Sequence, residues 1–554
     1  MKQERLLRGH SFDFWHGVTI AVSVLACLFL LYPYAGLVFR SFVAEKTGKI
    51  GLMNYHRFFT FKYYFITLFH SFVVSFSTTI LAVILGVPMA YIFSRYNIWG
   101  KKLLKILIII SLLSPPFIGA YSWIMLLGRN GFITKFLFQL GIVVPTIYGI
   151  RGLLLVFTLK LFPFVFLYVS GALGSIDSSL EEAAENLGTR GMGKLFTITF
   201  PLILPTISAG AVMVFMTSLA DLGTPMLIGE GYKVLPVLVY EEYMSEIGGN
   251  AGMASAMSVI IVFCSLSVLF LQKFVISKRD YAMNSTRPPA VRKLSLPMRI
   301  ILTVFSYIVG ILAVAPQITT IVTSFINTHG PRFTEGFSLE SYRSVWFKLS
   351  RNISHTFAYG LWAIAIMIIL GMLVSYLIVR RKSRITMIID SIFMSPYVIP
   401  GAVVGIILVM AFNRRPLLLT GTAAILVISY VIRKMPSILR SSTAILYQLD
   451  PSVEEASINL GVSPFGTFFK ITAIMMAPGV ISGAILSWVA TINELSSTLI
   501  LYSGRTGTIS VAIYTEIFKD GYGTAAALAS ILTFATILSL FIFDRFTKGK
   551  GNVV

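Results

Sequence analysis

The chain has 554 residues, of which 56% are hydrophobic and 12% charged, with a mean hydropathy of +0.83. That balance excludes a soluble fold of this length and points to an all-α polytopic membrane protein. The formal net charge of +22 raises nucleic-acid binding, but the basic residues sit mostly in short loops between apolar runs and form no basic domain, so no nucleic-acid partner is expected.

In chain order, apolar runs of roughly 20 residues, enough to cross a bilayer as helices, fall near 18–39, 66–93, 103–127, 150–173, 202–220 and 253–275. Six more fall near 300–325, 353–379, 386–411, 417–447, 475–492 and 524–543. About twelve transmembrane helices are therefore predicted, as two tandem six-helix repeats. The first run follows Lys2, Arg5 and Arg8 and is too long for a signal-peptide core, so it reads as a retained helix. Cys27 and Cys264 lie inside apolar runs and read as structural residues. The predicted organisation is a first half over 1–277, a linker over 278–298 with no signal beyond its charge, and a second half over 299–554.

Lys and Arg collect in 273–299, 95–105 and 380–384, which the positive-inside rule places in the cytoplasm together with both termini. The opposite loops include 221–252, with Glu230, Glu241, Glu242 and Glu246 against Lys233. The loop 40–62, rich in basic residues, runs against this pattern, but the reverse orientation would put the richest basic loop outside.

The two halves repeat. Glu182, Ala183, Gly188, Ile198 and Pro205 recur 273 positions later as Glu455, Ala456, Gly461, Ile471 and Pro478. His70, Gly86, Tyr91 and Arg95 recur 285 positions later as His355, Gly371, Tyr376 and Arg380, and Ser114-Pro115-Pro116 answers to Ser395-Pro396 in the third run. An even number of spans per unit gives both units one orientation, related by a pseudo-two-fold axis along the membrane normal. The stretches Glu181 to Pro201 and Glu454 to Ile474 share a plan of an acidic helix start, small residues and a helix-ending glycine. Each reads as a short polar helix at the membrane surface, shaped to dock into another protein.

The spacing Glu-Ala-Ala, three residues, Gly188, nine residues, then Ile198-x-Phe200-Pro201, resembles the cytoplasmic EAA loop of the membrane subunits of binding-protein-dependent ABC importers. The second copy departs with Ser457 for the second alanine and Ile474 for the proline. The resemblance implies a type I importer permease fold in the cytoplasmic (inner) membrane. It also implies ATPase-coupling roles for Glu181, Glu182, Ala183, Ala184, Gly188, Glu454, Glu455, Ala456 and Gly461. Two ATP-binding cassette subunits would dock there, and an extracytoplasmic binding protein would deliver the solute. On the same implication the chain is not an enzyme and carries no cofactor; ATP and magnesium belong to the partner subunits. Gly188, Gly193 and Lys194 come close to a phosphate-binding loop, but Leu195 follows where a hydroxyl is needed and no strand precedes.

The run from Ser114 to Gly131 resembles the ferric-iron importer permeases, implying ferric iron or an anionic iron chelate as solute. Related importers for phosphonates, sugar phosphates, thiamine and polyamines share the plan. An ion-coupled secondary transporter is the alternative from another class, and it leaves the two polar helices without a purpose. A non-transporting scaffold leaves the paired charges unexplained.

Candidate pathway residues also come in pairs. Lys160 and Arg433, 273 apart and each three residues before a proline, are ionisable groups inside spans. They attract an anionic solute, are neutralised by an acid, or snorkel along their helices. Asp221 and Glu494, also 273 apart, close the fifth span of each half. They suit a hard cation, or they pair with the bases or cap the segment that follows. Ser114, Pro115, Pro116, Ser395 and Pro396, with Pro400, break the third spans and need protein or water around the freed backbone. They hinge a gate or set a static kink. His70 and His355 read as hydrogen-bonding groups at the outer surface, and no cluster has metal-ligand spacing.

Overall fold

A computed structural model describes residues 14–45, 48–112, 115–143, 145–189, 191–245, 249–276, 291–330 and 332–547. The first half contains α1 (Phe14–Ser41), α2 (Lys62–Arg95), α3 (Lys101–Leu112), α4 (Pro116–Leu127), α5 (Phe132–Gln139), α6 (Ile150–Gly174), α7 (Ser178–Asn186), α8 (Leu195–Ala220) and α9 (Ala251–Ile276). The second contains α10 (Leu296–Ser324), α11 (Glu340–Arg380), α12 (Arg384–Met394), α13 (Gly401–Phe412), α14 (Ala423–Gln448), α15 (Ser452–Asn459), α16 (Pro464–Ile492) and α17 (Tyr522–Thr547). A hairpin of β1 (Ile326–His329) and β2 (Arg332–Phe337), with Ile326 opposite Phe337, follows α10.

Glycine spacing sets the packing of each half. α2, α6 and α8 pack on one another, and so do α11, α14 and α16. A Cβ added to Gly86 of α2 would lie 2.8 Å from Val165 Cβ of α6, and one on Gly210 of α8 would lie 3.1 Å from Val165 Cα. The second half repeats the arrangement, with Gly371 against Ile438 Cγ2 at 2.5 Å and Gly483 against Ile438 Cα at 2.8 Å. The repeated glycines are thus the places where helix backbones meet, as small residues are in membrane bundles.

The third span of each half, where the prolines stand, is broken. The axes turn by 103° between α3 and the segment beginning at Phe117, and by 115° between the segment Arg384–Tyr397 and α13. Proline removes a helical hydrogen bond and crowds the preceding turn, and Pro115, Pro396 and Pro400 stand at these breaks. The first broken pair still crosses. Beyond α4, Arg129 pairs with Glu230, and Gly149 donates to the Ile228 carbonyl, so the chain has reached the end opposite α7. Among the described residues nine helices are long and apolar enough to span, or eleven with each bent pair taken as one span. The remaining expected span, 417–447, corresponds to α14. It is long enough, but Arg433, Lys434 and Arg440 keep it out of the apolar set.

The first helix of each half crosses to the other half. α1 packs on α9 and also on α12 and α13, while α10 packs on α17 and also on α3 and α4. At the end of each, a serine meets a tyrosine: Ser41 Oγ to the Tyr55 hydroxyl at 2.7 Å, and Ser324 Oγ to the Tyr342 hydroxyl at 2.8 Å. Residues 278–290 of the expected linker lie outside the described residues, and α10 begins inside its expected range.

Candidate functional site

Two surface features answer to the repeated motifs. α7 and α15 are short helices that end alike. Gly188 and Gly461 take φ of +88° and +86°, a left-handed turn that costs glycine nothing and other residues about 1 kcal/mol or more. In α7 the Thr189 amide reaches back to the Ala184 carbonyl at 2.9 Å and Gly188 to Glu185 at 3.0 Å; in α15 Val462 reaches Ser457 at 3.2 Å and Gly461 reaches Ile458 at 2.9 Å. This double closure satisfies the last carbonyls. It leaves Leu187 and Leu460 standing 86% and 85% exposed just before the glycines. Sequence reasoning passed over these leucines, although they recur at the same offset.

The helices begin just ahead of the glutamates, and Glu454 and Glu455 lie in the first turn of α15, an acidic start as expected. Asp177 Oδ1 accepts from the Ser179 amide and Asp450 Oδ1 from the Ser452 amide, both at 2.9 Å. These aspartates, 273 apart, cap the helices, rather than the glutamates that follow. The Ser452 amide holds the Asp450 carboxyl below its ordinary value. Glu454 turns inward instead, 13% exposed, to Arg380 Nε at 3.0 Å and the Tyr376 hydroxyl at 3.1 Å. It clamps α15 to the end of α11. Glu182, Ala183, Glu455 and Ala456 face outward, Glu181 lies in α7, and Ala184 and Ser457 face inward. The departure at Ser457 has a physical reason: its hydroxyl meets that of Thr467 at 2.9 Å.

In the first copy, Lys194 Nζ closes on Glu185 Oε1 at 2.7 Å and Arg292 adds a contact at 3.2 Å. Hydrogen bonding by Lys194, with smaller help from Arg292, lowers the Glu185 carboxyl from its ordinary value. The clasp is therefore complete above the ordinary carboxylate range and is lost as pH falls through the lowered value.

After each short helix comes a wide helical turn, Leu195–Thr199 and Phe468–Thr472, each holding i to i+5 bonds and again 273 apart. Such turns are rare and gather at functional positions.

Deeper in the bundle, the paired ionisable residues meet. Lys160 Nζ lies 3.1 Å from Asp221 Oδ2, and Arg433 Nη1 hydrogen-bonds Glu494 Oε1. Both acids also cap the segment that follows: Asp221 Oδ1 accepts from the Thr224 amide at 3.0 Å, and Glu494 Oε1 from the Ser497 amide at 3.3 Å. Pairing and capping, weighed above as alternatives, hold together. The second half adds a partner that sequence reasoning missed, Lys434, whose Nζ lies 2.8 Å from Glu494 Oε2. Lys160 is thus neutralised from within the chain, whereas Arg433 and Lys434 share the single acid Glu494.

The broken third spans face these pairs. Gly401, which opens α13, would place a Cβ 2.5 Å from Arg433 Nη1. A cavity beside Lys160, lined by Ser111, Gly119, Trp123, Lys160, Pro316 and Gln317 among others, encloses about 10 Å³, room for one water. Pro115 and Pro396 are buried at the breaks, Pro116 opens α4, Ser395 Oγ donates to the Ile392 carbonyl at 2.7 Å, and Ser114 lies outside the described residues. His70 Nδ1 and His355 Nδ1 lie 3.0 and 3.1 Å from the Lys233 and Gly507 carbonyls, so each ring tethers a loop. Among the described residues no cluster of His, Cys, Asp or Glu could hold a metal ion.

Residues 82–281 and 367–550 each match the family described as binding-protein-dependent transport system inner membrane component. The chain belongs to that family. As a binding-protein-dependent transport component it is a multi-pass inner-membrane permease subunit of an ABC importer, which works with ATPase and solute-binding partners and has a non-catalytic role. It is 25% identical over an alignment of 557 positions to the ferric transport system permease protein FbpB of Actinobacillus pleuropneumoniae, covering 98% of this chain and 79% of that one. It is 24% identical over 471 positions to the Fe(3+)-transport system permease protein FbpB 2 of Haemophilus influenzae, covering 84% and 87%. The molybdenum transport system permease protein ModB of Haemophilus influenzae is 31% identical over 212 positions, 37% of this chain and 90% of that one. A relative so fully covered by so small a share has the length of one half, as the internal repeat requires.

Proposed function

We propose that this transport component carries ferric iron inward as a fused permease, with halves over 1–277 and 299–554 joined by a cytoplasmic linker. One ATPase subunit docks on α7 and one on α15, and a binding protein releases the solute at the opposite face. The observation that carries the reading is the matched pair of short helices, each capped at both ends and presenting a bare leucine. Two such docking handles suit a pair of engines, and the iron relatives, which run the length of both halves, supply the solute. ATP-driven closure of the ATPases moves α7 and α15 as rigid bodies and switches the cavity between the two faces.

Co-purification and reconstitution test this. The chain should bring ATPase subunits with it, and vesicles should take up ferric iron only with ATP and the partner binding protein. Replacing Gly188 and Gly461 by alanine meets no steric barrier, since nothing lies within 4 Å of either added Cβ, but it strains the turn below each leucine. Uptake per ATP hydrolysed should fall at least tenfold. Full uptake on an ion gradient, with no ATPase attached, would overturn the reading, and a partner binding protein that retains another solute would overturn the iron assignment.

A further inference from the structure

We propose that Arg292 is a positioning residue that ties the first coupling helix to the opposite half, so that a push on α7 moves both halves at once. This rests on the reading of α7 as a coupling helix.

Arg292 sits just ahead of α10. Its amide donates to the Arg95 carbonyl at 2.8 Å and its carbonyl accepts from Asn97 at 3.3 Å, a short parallel bridge beside Tyr96 at the end of α2. Its guanidinium reaches Glu185 of α7 at 3.2 Å. Further along, Arg299 lies over the Trp99 ring at 4.7 Å, and the Tyr307 hydroxyl donates to the Gly100 carbonyl at 3.1 Å. The start of α10 is therefore fastened to the first half at several points, while its body packs on α17 of the second. What the sequence offered as the tail of a passive linker is a brace.

The opposite corner has a counterpart in different chemistry. Trp15, at the start of α1, stacks on Tyr376 at 4.2 Å, and Phe14 meets Phe465 edge-on at 4.7 Å. Tyr376 in turn donates to Glu454 of α15 at 3.1 Å. Each coupling helix is thus gripped, directly or through one side chain, by a residue at or just ahead of the first helix of the other half. The Arg292–Glu185 pair is half exposed, and such pairs add little to folding stability, so its removal should disturb coordination more than folding.

The test uses the reconstituted complex with its ATPase subunits and binding protein, reading ferric iron uptake and ATP hydrolysis together. With Arg292→Ala the ATPase subunits should still co-purify, while uptake per ATP falls at least threefold. Arg292→Lys, which restores the charge, should recover half of the loss or more. Glu185→Gln should lower the same ratio, and the Glu185→Gln/Arg292→Ala double variant should be no worse than the poorer single one, because the two act through one contact. An unchanged ratio in Arg292→Ala and Glu185→Gln, or additive losses in the double variant, would overturn the proposal. A wild-type chain that transports without ATPase subunits would overturn the reading beneath it, and that result needs no variant.

Discussion

Glu494 stands between two cations, Arg433 and Lys434, whereas Asp221 in the first half faces Lys160. The difference has an energetic consequence, because removing one member of a buried ion pair strands the other in a medium that cannot solvate it. Glu494→Gln leaves two like charges side by side and should cost about 4 kcal/mol. Asp221→Asn leaves one, so about 3 kcal/mol is expected. Unfolding in detergent measures both, and an equal or reversed order would count against this account. The sequence carried part of this arrangement. Lys160, Arg433, Asp221 and Glu494 were visible through the repeat, since each has a counterpart 273 positions away. Lys434 was not, because its counterpart is Leu161 and a repeat cannot point to a residue that only one copy has.

The broken third spans decide how closely the cations can approach. Gly401 gives its missing side chain's space to the Arg433 guanidinium, with Ser496 Cβ only 2.7 Å from an added Cβ. At Gly119 in α4, beside the Lys160 cavity, an added Cβ meets nothing nearer than Val156 Cγ1 at 3.7 Å. Gly401→Ala should therefore push Arg433 off Glu494 and destabilise by about 2 kcal/mol through overpacking, while Gly119→Ala should stay within about 0.5 kcal/mol. Parallel melts of the two variants settle the comparison. Prolines announced that these spans break, because a lost hydrogen bond is local chemistry. They could not announce turns of 103° and 115°, because the direction of the chain beyond a break is set by what it packs on. The short helices show the same limit. Their glycine ends were legible, but the inward turn of Glu454 depends on Arg380, 74 residues away.

Across the whole molecule, exchange of the first helices makes the two halves a single mechanical body, and the remaining question is which way it faces. With Cys27 and Cys264 replaced by serine, a cysteine at Leu187 or Leu460 should react with an impermeant maleimide only in inside-out vesicles. One at Phe337, 79% exposed on the hairpin, should react only in right-side-out vesicles. Labelling of Leu460→Cys from the outside would place the docking handles on the wrong face. The wide turns at Leu195–Thr199 and Phe468–Thr472 add a consequence for both handles. Each stores one residue more than an ordinary coil, so excising a single residue there would let the rod wind back to regular pitch. Because the wide turn already absorbs that extra residue, the segment beyond would keep its facing, whereas taking a residue from the regular coil on either side would swivel it by about 100° and draw it in by about 1.5 Å. After that second cut the bare leucines would still be present and still be greasy, yet aimed sideways, like a key cut correctly and inserted a quarter-turn out.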